Sequence, residues 1–212
     1  MINLIEIFCS IQGESSYTGY PCIFIRLAEC NLRCNYCDTQ YSYNSNYSLD
    51  FDEILDEIRK YHPIKLVEIT GGEPLLQANL IGLIEQLLGH NYKVLLETNG
   101  SLPLDKIDKR VHKIIDVKTP ASGSGNSFCQ ANLDIMSETD ELKFVISDYD
   151  DYNWSKAFIF EHNILNRNIL FSPVFDKIAP KILASWIVED RLDVRFQLQA
   201  HKYIWDPNKQ GV

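Results

Sequence analysis

Hydrophobic and polar residues along this 212-residue chain alternate in two rhythms, one with a period near two and one with a period of three to four. Runs at 3–10 (NLIEIFCS) and 22–28 (CIFIRLA) have the short period and predict strands on either side of a polar, Gly-containing loop. The same rhythm returns at 65–70 (KLVEIT), 93–97 (KVLLE), 112–118 (HKIIDVK), 141–146 (ELKFVI), 168–172 (NILFS) and 193–199 (DVRFQLQ). Between these runs the longer period takes over. Phe51, Ile54, Leu55 and Ile58 predict a helix that Ser48 or Asp50 can cap, and Pro74 opens another that runs through Leu88. Further helices are predicted near 150–162 and 176–189.

Strands that alternate with helices predict a parallel sheet with right-handed crossovers. After Glu97 and after Lys118 the helical rhythm is missing, and TPASGSGNS (119–127) reads as a loop. The expected architecture is therefore α/β, an incomplete (β/α)6 barrel with a reduced complement of helices, in one domain spanning 1–212. Function in such barrels collects in the loops at the carboxyl ends of the strands. The unusual segments fall there: the cysteine loop after Ala28, GGEP after Thr70, TNG after Glu97 and TPASG after Lys118.

A hydrophobic content of 45% with 23% charged residues suits a globular chain able to bury a core. No apolar run approaches the length of a membrane span, and the first residues lack the basic start of a secretory signal, so a cytoplasmic location is expected. The net charge of −9 makes nucleic acid a poor partner.

Half of the six cysteines lie in AECNLRCNYCDTQ (28–40), where Cys30, Cys34 and Cys37 are spaced C-x3-C-x2-C. A loop rich in Asn, Arg and Asp is no core segment, which argues against three unrelated buried thiols. Structural zinc ordinarily takes four protein ligands, and Cys9, Cys22 and Cys129 form no second pair. A [4Fe–4S] cluster held by three thiolates leaves one iron open to an exogenous ligand.

This spacing, with Tyr36 before the last cysteine, resembles the radical S-adenosylmethionine superfamily, and GGEP (71–74) resembles its second motif. EIFCSIQGESSYTGYPCIFIRLAECNLRCNYCDTQY (6–41) resembles, more closely, the family of 7-carboxy-7-deazaguanine synthases in queuosine biosynthesis. ITGGEPLLQ (69–77), LLETNG (95–100), DVKTPASG (116–123), LKFVISD (142–148) and LQAHKYIWDP (198–207) extend the likeness along nearly the whole chain.

The resemblance implies a carbon–nitrogen lyase that converts 6-carboxy-5,6,7,8-tetrahydropterin to 7-carboxy-7-deazaguanine with loss of ammonia. Its implied cofactors are a [4Fe–4S] cluster on Cys30, Cys34 and Cys37, S-adenosylmethionine, and Mg2+ with Thr39 as a ligand. Gln12, Gly13, Glu14, Arg26, Thr70, His201 and Pro207 would then contact substrate. Tyr36, Asp38, Gly72, Asp116, Val117 and Lys118 would contact S-adenosylmethionine. The side-chain types suit these tasks: Gln and Glu pair with an amide-like edge, Arg forks onto a carboxylate, and Gly lets backbone approach a ligand. No side chain is given a catalytic role, because the adenosyl radical carries the chemistry. Segments 1–21, 29–47 and 198–212 would serve as substrate loop, cluster loop and closing segment. An electron donor such as flavodoxin or ferredoxin and a homodimer are also implied.

Two positions depart from the family pattern: Ser15 and Glu29 stand where glycine is usual. The chain also continues past Pro207 to Val212. A glycyl-radical activating enzyme acting on a protein, or a non-catalytic iron–sulfur or zinc module, is the competing reading.

Overall fold

The computed structural model describes residues 1–212. The chain begins with β1 (Ile2–Ile11) and β2 (Pro21–Leu27), an antiparallel pair, and the short β3 (Tyr47–Leu49) pairs antiparallel with β1 on its other side. Then α1 (Phe51–Arg59), β4 (Leu66–Gly71), α2 (Leu80–Gly89), β5 (Lys93–Thr98) and β6 (His112–Asp116) follow. The remainder comprises α3 (Asn132–Ile135), β7 (Glu141–Ile146), α4 (Tyr149–Glu161), β8 (Asn168–Pro173), α5 (Pro180–Glu189), β9 (Arg195–Phe196) and α6 (His201–Ile204). One nine-stranded sheet results, in the order β3-β1-β2-β4-β5-β6-β7-β8-β9, parallel from β2 onward.

The expected reduced barrel is thus present as an open sheet, with β3 and β9 at its edges. Six parallel strands have full length, and a seventh, β9, keeps two residues of the seven predicted at 193–199. As expected, no long helix follows β5 or β6. The predicted α1 is confirmed with Asp50 as its cap: Asp50 Oδ1 accepts from Glu53 N at 3.0 Å and Glu53 Oε2 accepts from Asp50 N at 2.8 Å.

The predicted helix from 74 to 88 divides in two. A 3-10 turn at Pro74–Leu76 ends where Gln77 adopts an extended backbone, and α2 restarts at Leu80. Gln77 leaves the helical path to reach another element: its side chain donates to Ala28 O and accepts from Asn3 N, each at 3.1 Å. Likewise the last predicted helix begins at Pro180 rather than near 176, with proline at its first turn.

Strand alternation assigns the two faces of the sheet different work. Ile23, Ile25, Val67, Ile69, Val94, Leu96, Leu142 and Phe144 belong to a core cluster of 36 buried residues between sheet and helices. The intervening positions, Arg26, Glu68, Thr70, Glu97, Asp116 and Lys143, line a cavity on the opposite face. No helix is long and apolar enough to cross a membrane.

Candidate active site

The cavity has a volume of about 500 Å3. All three motif cysteines line it and are partly exposed, whereas Cys9, Cys22 and Cys129 do not reach it. The cluster loop carries almost no regular structure, so its shape comes from ties to other loops. Asn35 N donates to Ser122 O at 2.9 Å and Asn35 Nδ2 to Ala121 O at 3.0 Å, which anchors the loop to the turn after β6. The Tyr36 hydroxyl lies 3.3 Å from both Thr119 Oγ1 and Val145 O.

Two donors face the Cys30 sulfur, Leu32 N at 3.4 Å and Asn99 Nδ2 at 3.8 Å. Such N–H groups suit a metal-bound thiolate. No three Cys, His, Asp or Glu side chains converge tightly enough to hold a single metal ion. Three thiols from one loop suit a cluster in which each sulfur binds a different iron, whereas structural zinc ordinarily takes four protein ligands.

The glycines of GGEP line the cavity and also serve the backbone itself. A Cβ on Gly71 would stand 2.1 Å from Leu27 O, and one on Gly72 would stand 1.9 Å from Glu29 O. Gly71 also has φ of 138°. These residues are therefore glycine because backbone must pass backbone at the start of the cluster loop. Gly72 N donates to Leu27 O at 3.0 Å and Glu73 N to Glu29 O at 2.7 Å. Glu73, fully buried, continues the brace to β5 by accepting from Thr98 Oγ1 (2.8 Å), Asn99 N (2.7 Å) and Leu75 N (3.0 Å). Burial raises its carboxyl above the usual range, against these donors.

The residues expected to contact substrate enter from the other end. The turn 12–20 joins β1 to β2 at the amino ends of the parallel strands, so Gln12, Gly13 and Glu14 form a floor opposite the cysteine loop. Carboxyl-end loops alone do not build the site. Gln12 Nε2 donates to the buried Glu68, and Gln12 Oε1 accepts from Glu14 N at 3.0 Å. Arg26 donates through Nε to Glu6 at 2.8 Å, and its terminal nitrogens make no hydrogen bond within the chain.

The closing segment lies over this floor. Ala200 N donates to Gly13 O at 3.0 Å, Gln199 Nε2 donates to Glu14 Oε1 at 3.1 Å, and Lys202 pairs with Asp38 at 2.5 Å. Gly13 is glycine because a Cβ there would lie 2.3 Å from His201 Nδ1. Pro207 and Val212 both border the cavity. Burial raises the Asp38 carboxyl, but Lys202, Thr39 and His201 outweigh it and hold the group at about 2. Thr39 Oγ1 donates to Asp38 Oδ1 at 2.9 Å and also faces the cavity.

The radical SAM superfamily pattern matches residues 25–123. A relative from Koribacter versatilis, named 7-carboxy-7-deazaguanine synthase, is 48% identical and covers all of both chains. One of the same name from Chlorobaculum tepidum is 47% identical, covering all of this chain and 97% of the relative. The chain belongs to the 7-carboxy-7-deazaguanine synthase family. The fold agrees with that of QueE from Escherichia coli, at a TM-score of 0.78, 22% identity and 94% coverage of each chain.

Family membership brings a [4Fe–4S] cluster and S-adenosylmethionine as cofactors. The donor set fits both. Beside the thiol wall, Asp116 is buried and its Oδ1 makes no hydrogen bond, while Oδ2 takes Lys118 at 2.6 Å. Of the residues singled out in the sequence, all but Val117 line the one cavity; the Val117 side chain packs in the apolar core.

Ser15 and Glu29, the two positions at which the resemblance implies glycine, have φ of 63° and 73°. Both keep the left-handed backbone that glycine adopts without penalty, so the loops retain their path.

Sequence reasoning named Glu14 and Asp116 but missed Glu68, Glu97 and Lys143 beside them. Lys143 pairs with Glu14 at 2.8 Å, with Glu97, and with Asp116 at 3.3 Å, and Glu97 Oε2 also accepts from Thr70 Oγ1 at 3.1 Å. Burial raises the Glu14 carboxyl, yet Lys143 and then His201 outweigh it and bring the group to about 2. Burial and then the neighbouring Glu97 hold Glu68 well above the usual carboxylate range. The signal was available: Glu68 in KLVEIT and Lys143 in ELKFVI are charges in the middle of otherwise apolar strands.

Proposed function

We infer that this chain is a radical S-adenosylmethionine lyase that converts 6-carboxy-5,6,7,8-tetrahydropterin to 7-carboxy-7-deazaguanine with release of ammonia. The observation that carries the reading is one cavity lined by both the thiol wall and the Gln12–Glu14 floor, in a chain nearly half identical over its full length to synthases of that product. When bound, the cluster and S-adenosylmethionine supply the hydrogen-abstracting radical chemistry.

The chain's own residues bind and orient. Glu14, kept ionised, accepts from the amino and amide N–H groups of the pterin ring, and Gln12 lies beside it. Arg26 offers its terminal nitrogens to the substrate carboxylate. Thr39 supplies a hydroxyl oxygen to Mg2+, with Asp38 adjacent; a hard cation suits such ligands. Tyr36, Asp38, Gly72, Asp116 and Lys118 border the S-adenosylmethionine side, with the backbone of Val117 between the last two. Thr70, His201 and Pro207 complete the substrate pocket. Segment 198–212 covers it and excludes water, and the whole of 1–212 works as one unit.

A pocket of about 500 Å3 lined by Gln12, Glu14 and Arg26 suits a small molecule better than the protein substrate of a glycyl-radical activator. A cytoplasmic homodimer served by flavodoxin or ferredoxin completes the reading.

The test supplies anaerobically reconstituted protein with carboxypterin deuterated at C6, S-adenosylmethionine, a reductant and Mg2+. The expected result is deazaguanine in excess of deoxyadenosine, with deuterium in recovered S-adenosylmethionine. Stoichiometric deoxyadenosine without deazaguanine overturns the assignment.

A further inference from the structure

Lys143 stands at the centre of the floor on β7, and its side chain is 4% exposed. An ammonium has three N–H donors and no acceptor, and three carboxylates of the chain surround this one. Glu14 from the β1–β2 turn is at 2.8 Å, Glu97 from β5 is in contact, and Asp116 from β6 is at 3.3 Å. Two of its donors are taken by Glu14 and Glu97, and Asp116 adds a third negative charge beside it without a hydrogen bond. The burial of Lys143 would be costly if it did no more than balance charge, since an apolar residue of similar length would fill the same space.

The carboxylates it holds are unequal in their surroundings. Glu97 has Thr70 as a second partner, and Asp116 has Lys118. Glu14 has only the neutral Gln199 amide besides Lys143, with His201 facing it from the closing segment and Glu68 and Glu97 from the sheet. Removing Lys143 therefore leaves Glu14 among two carboxyl groups with no strong cation.

We propose that Lys143 is a positioning residue for substrate recognition: it keeps Glu14 ionised and aimed into the pocket, so that the acceptor edge offered to the substrate persists below neutral pH. This rests on the reading of Glu14 as a substrate contact. It makes Lys143 act through Glu14, without touching the reacting atoms.

The experiment measures carboxypterin binding by calorimetry to cluster-free protein at several pH values from 6 to 8.5, with turnover of the reconstituted enzyme alongside. Lys143→Met is compared with Lys143→Met/Glu97→Gln. The double variant removes one cation and one carboxylate together, so the cluster keeps its net charge and the fold is protected. Both variants should bind substrate about thirtyfold or more weakly at pH 6. Their affinity should recover as pH rises, while the wild type stays flat, and cluster loading should be unchanged.

If Lys143 only balances buried charge, the double variant will bind like wild type at every pH, and the inference is overturned. A single variant with wild-type affinity across the range overturns it equally. Wild-type protein that neither binds nor converts carboxypterin would overturn the functional reading itself, and this inference with it.

Discussion

The cysteine wall and the charged floor line one cavity and are built on opposite plans. Cys30, Cys34 and Cys37 come from a single loop within eight residues, partly exposed and shaped by ties such as Asn35 to Ser122. The floor is gathered from five elements: Glu68, Asp116 and Lys143 are buried, Glu14 and Glu97 are partly exposed, and all five are far apart in sequence. A metal cluster brings its own geometry, so the protein need only present thiolates on a loop. A small organic substrate brings no such scaffold, and the acceptors that read it must be held rigid by the fold.

The largest expected effect breaks the wall alone. Cys34→Ala should abolish iron loading and S-adenosylmethionine cleavage, while Cys22→Ser and Cys129→Ser should keep iron content at the wild-type level. Iron analysis and deoxyadenosine release measure this. Equal dependence on Cys22 or Cys129 would mean that the wall is not confined to its loop.

Next is the brace behind the wall. Glu73→Gln keeps the size of the side chain but replaces one acceptor oxygen with a donor facing Thr98 or Asn99 N–H, in a fully buried place. A loss of about 1–3 kcal/mol in unfolding free energy is expected, measured by denaturant titration of cluster-free protein. No change would show that the cluster loop does not depend on the β4–β5 tie.

The floor should reveal itself through pH. Glu14 titrates at about 2 in the folded protein, below its unfolded value, so it stabilises the fold above the unfolded pKa and that contribution fades as pH falls toward 2. Glu14→Gln should flatten the decline in stability between pH 5 and 3 by an amount on the order of 2 kcal/mol, read from denaturant unfolding at each pH. An unaltered slope would remove Glu14 from the list of ionised floor residues.

The smallest effect concerns Glu29, which has φ of 73° and an exposed side chain bonded only to Asn3 Nδ2 at 3.3 Å. Glu29→Gly should stabilise by about 1 kcal/mol through relief of the left-handed backbone, equivalent to about 2–4 °C in Tm. Iron loading should be retained. A lower Tm would indicate that the Asn3 contact outweighs the backbone term.

The order of elements, the missing helices after β5 and β6 and the cysteine wall were legible in the residues, because periodicity and short-range spacing are local properties. The 3-10 turn at Pro74 and the restart at Leu80 were not, since Gln77 leaves the helix to meet Asn3 and Ala28, partners 74 and 49 positions away. Nor was β3, whose three residues become a strand only by pairing with β1. By itself the sequence determined which residues could bind iron, which family the chain resembles and which strand faces are apolar. Tertiary structure alone decided that GGEP is glycine for the sake of Leu27 and Glu29, and that Gln12–Glu14 rise from the amino end of the strands. It also decided that one lysine holds three carboxylates. The physical reason is the same each time: steric exclusion and charge pairing act between atoms near in space, and only the folded chain brings these atoms together.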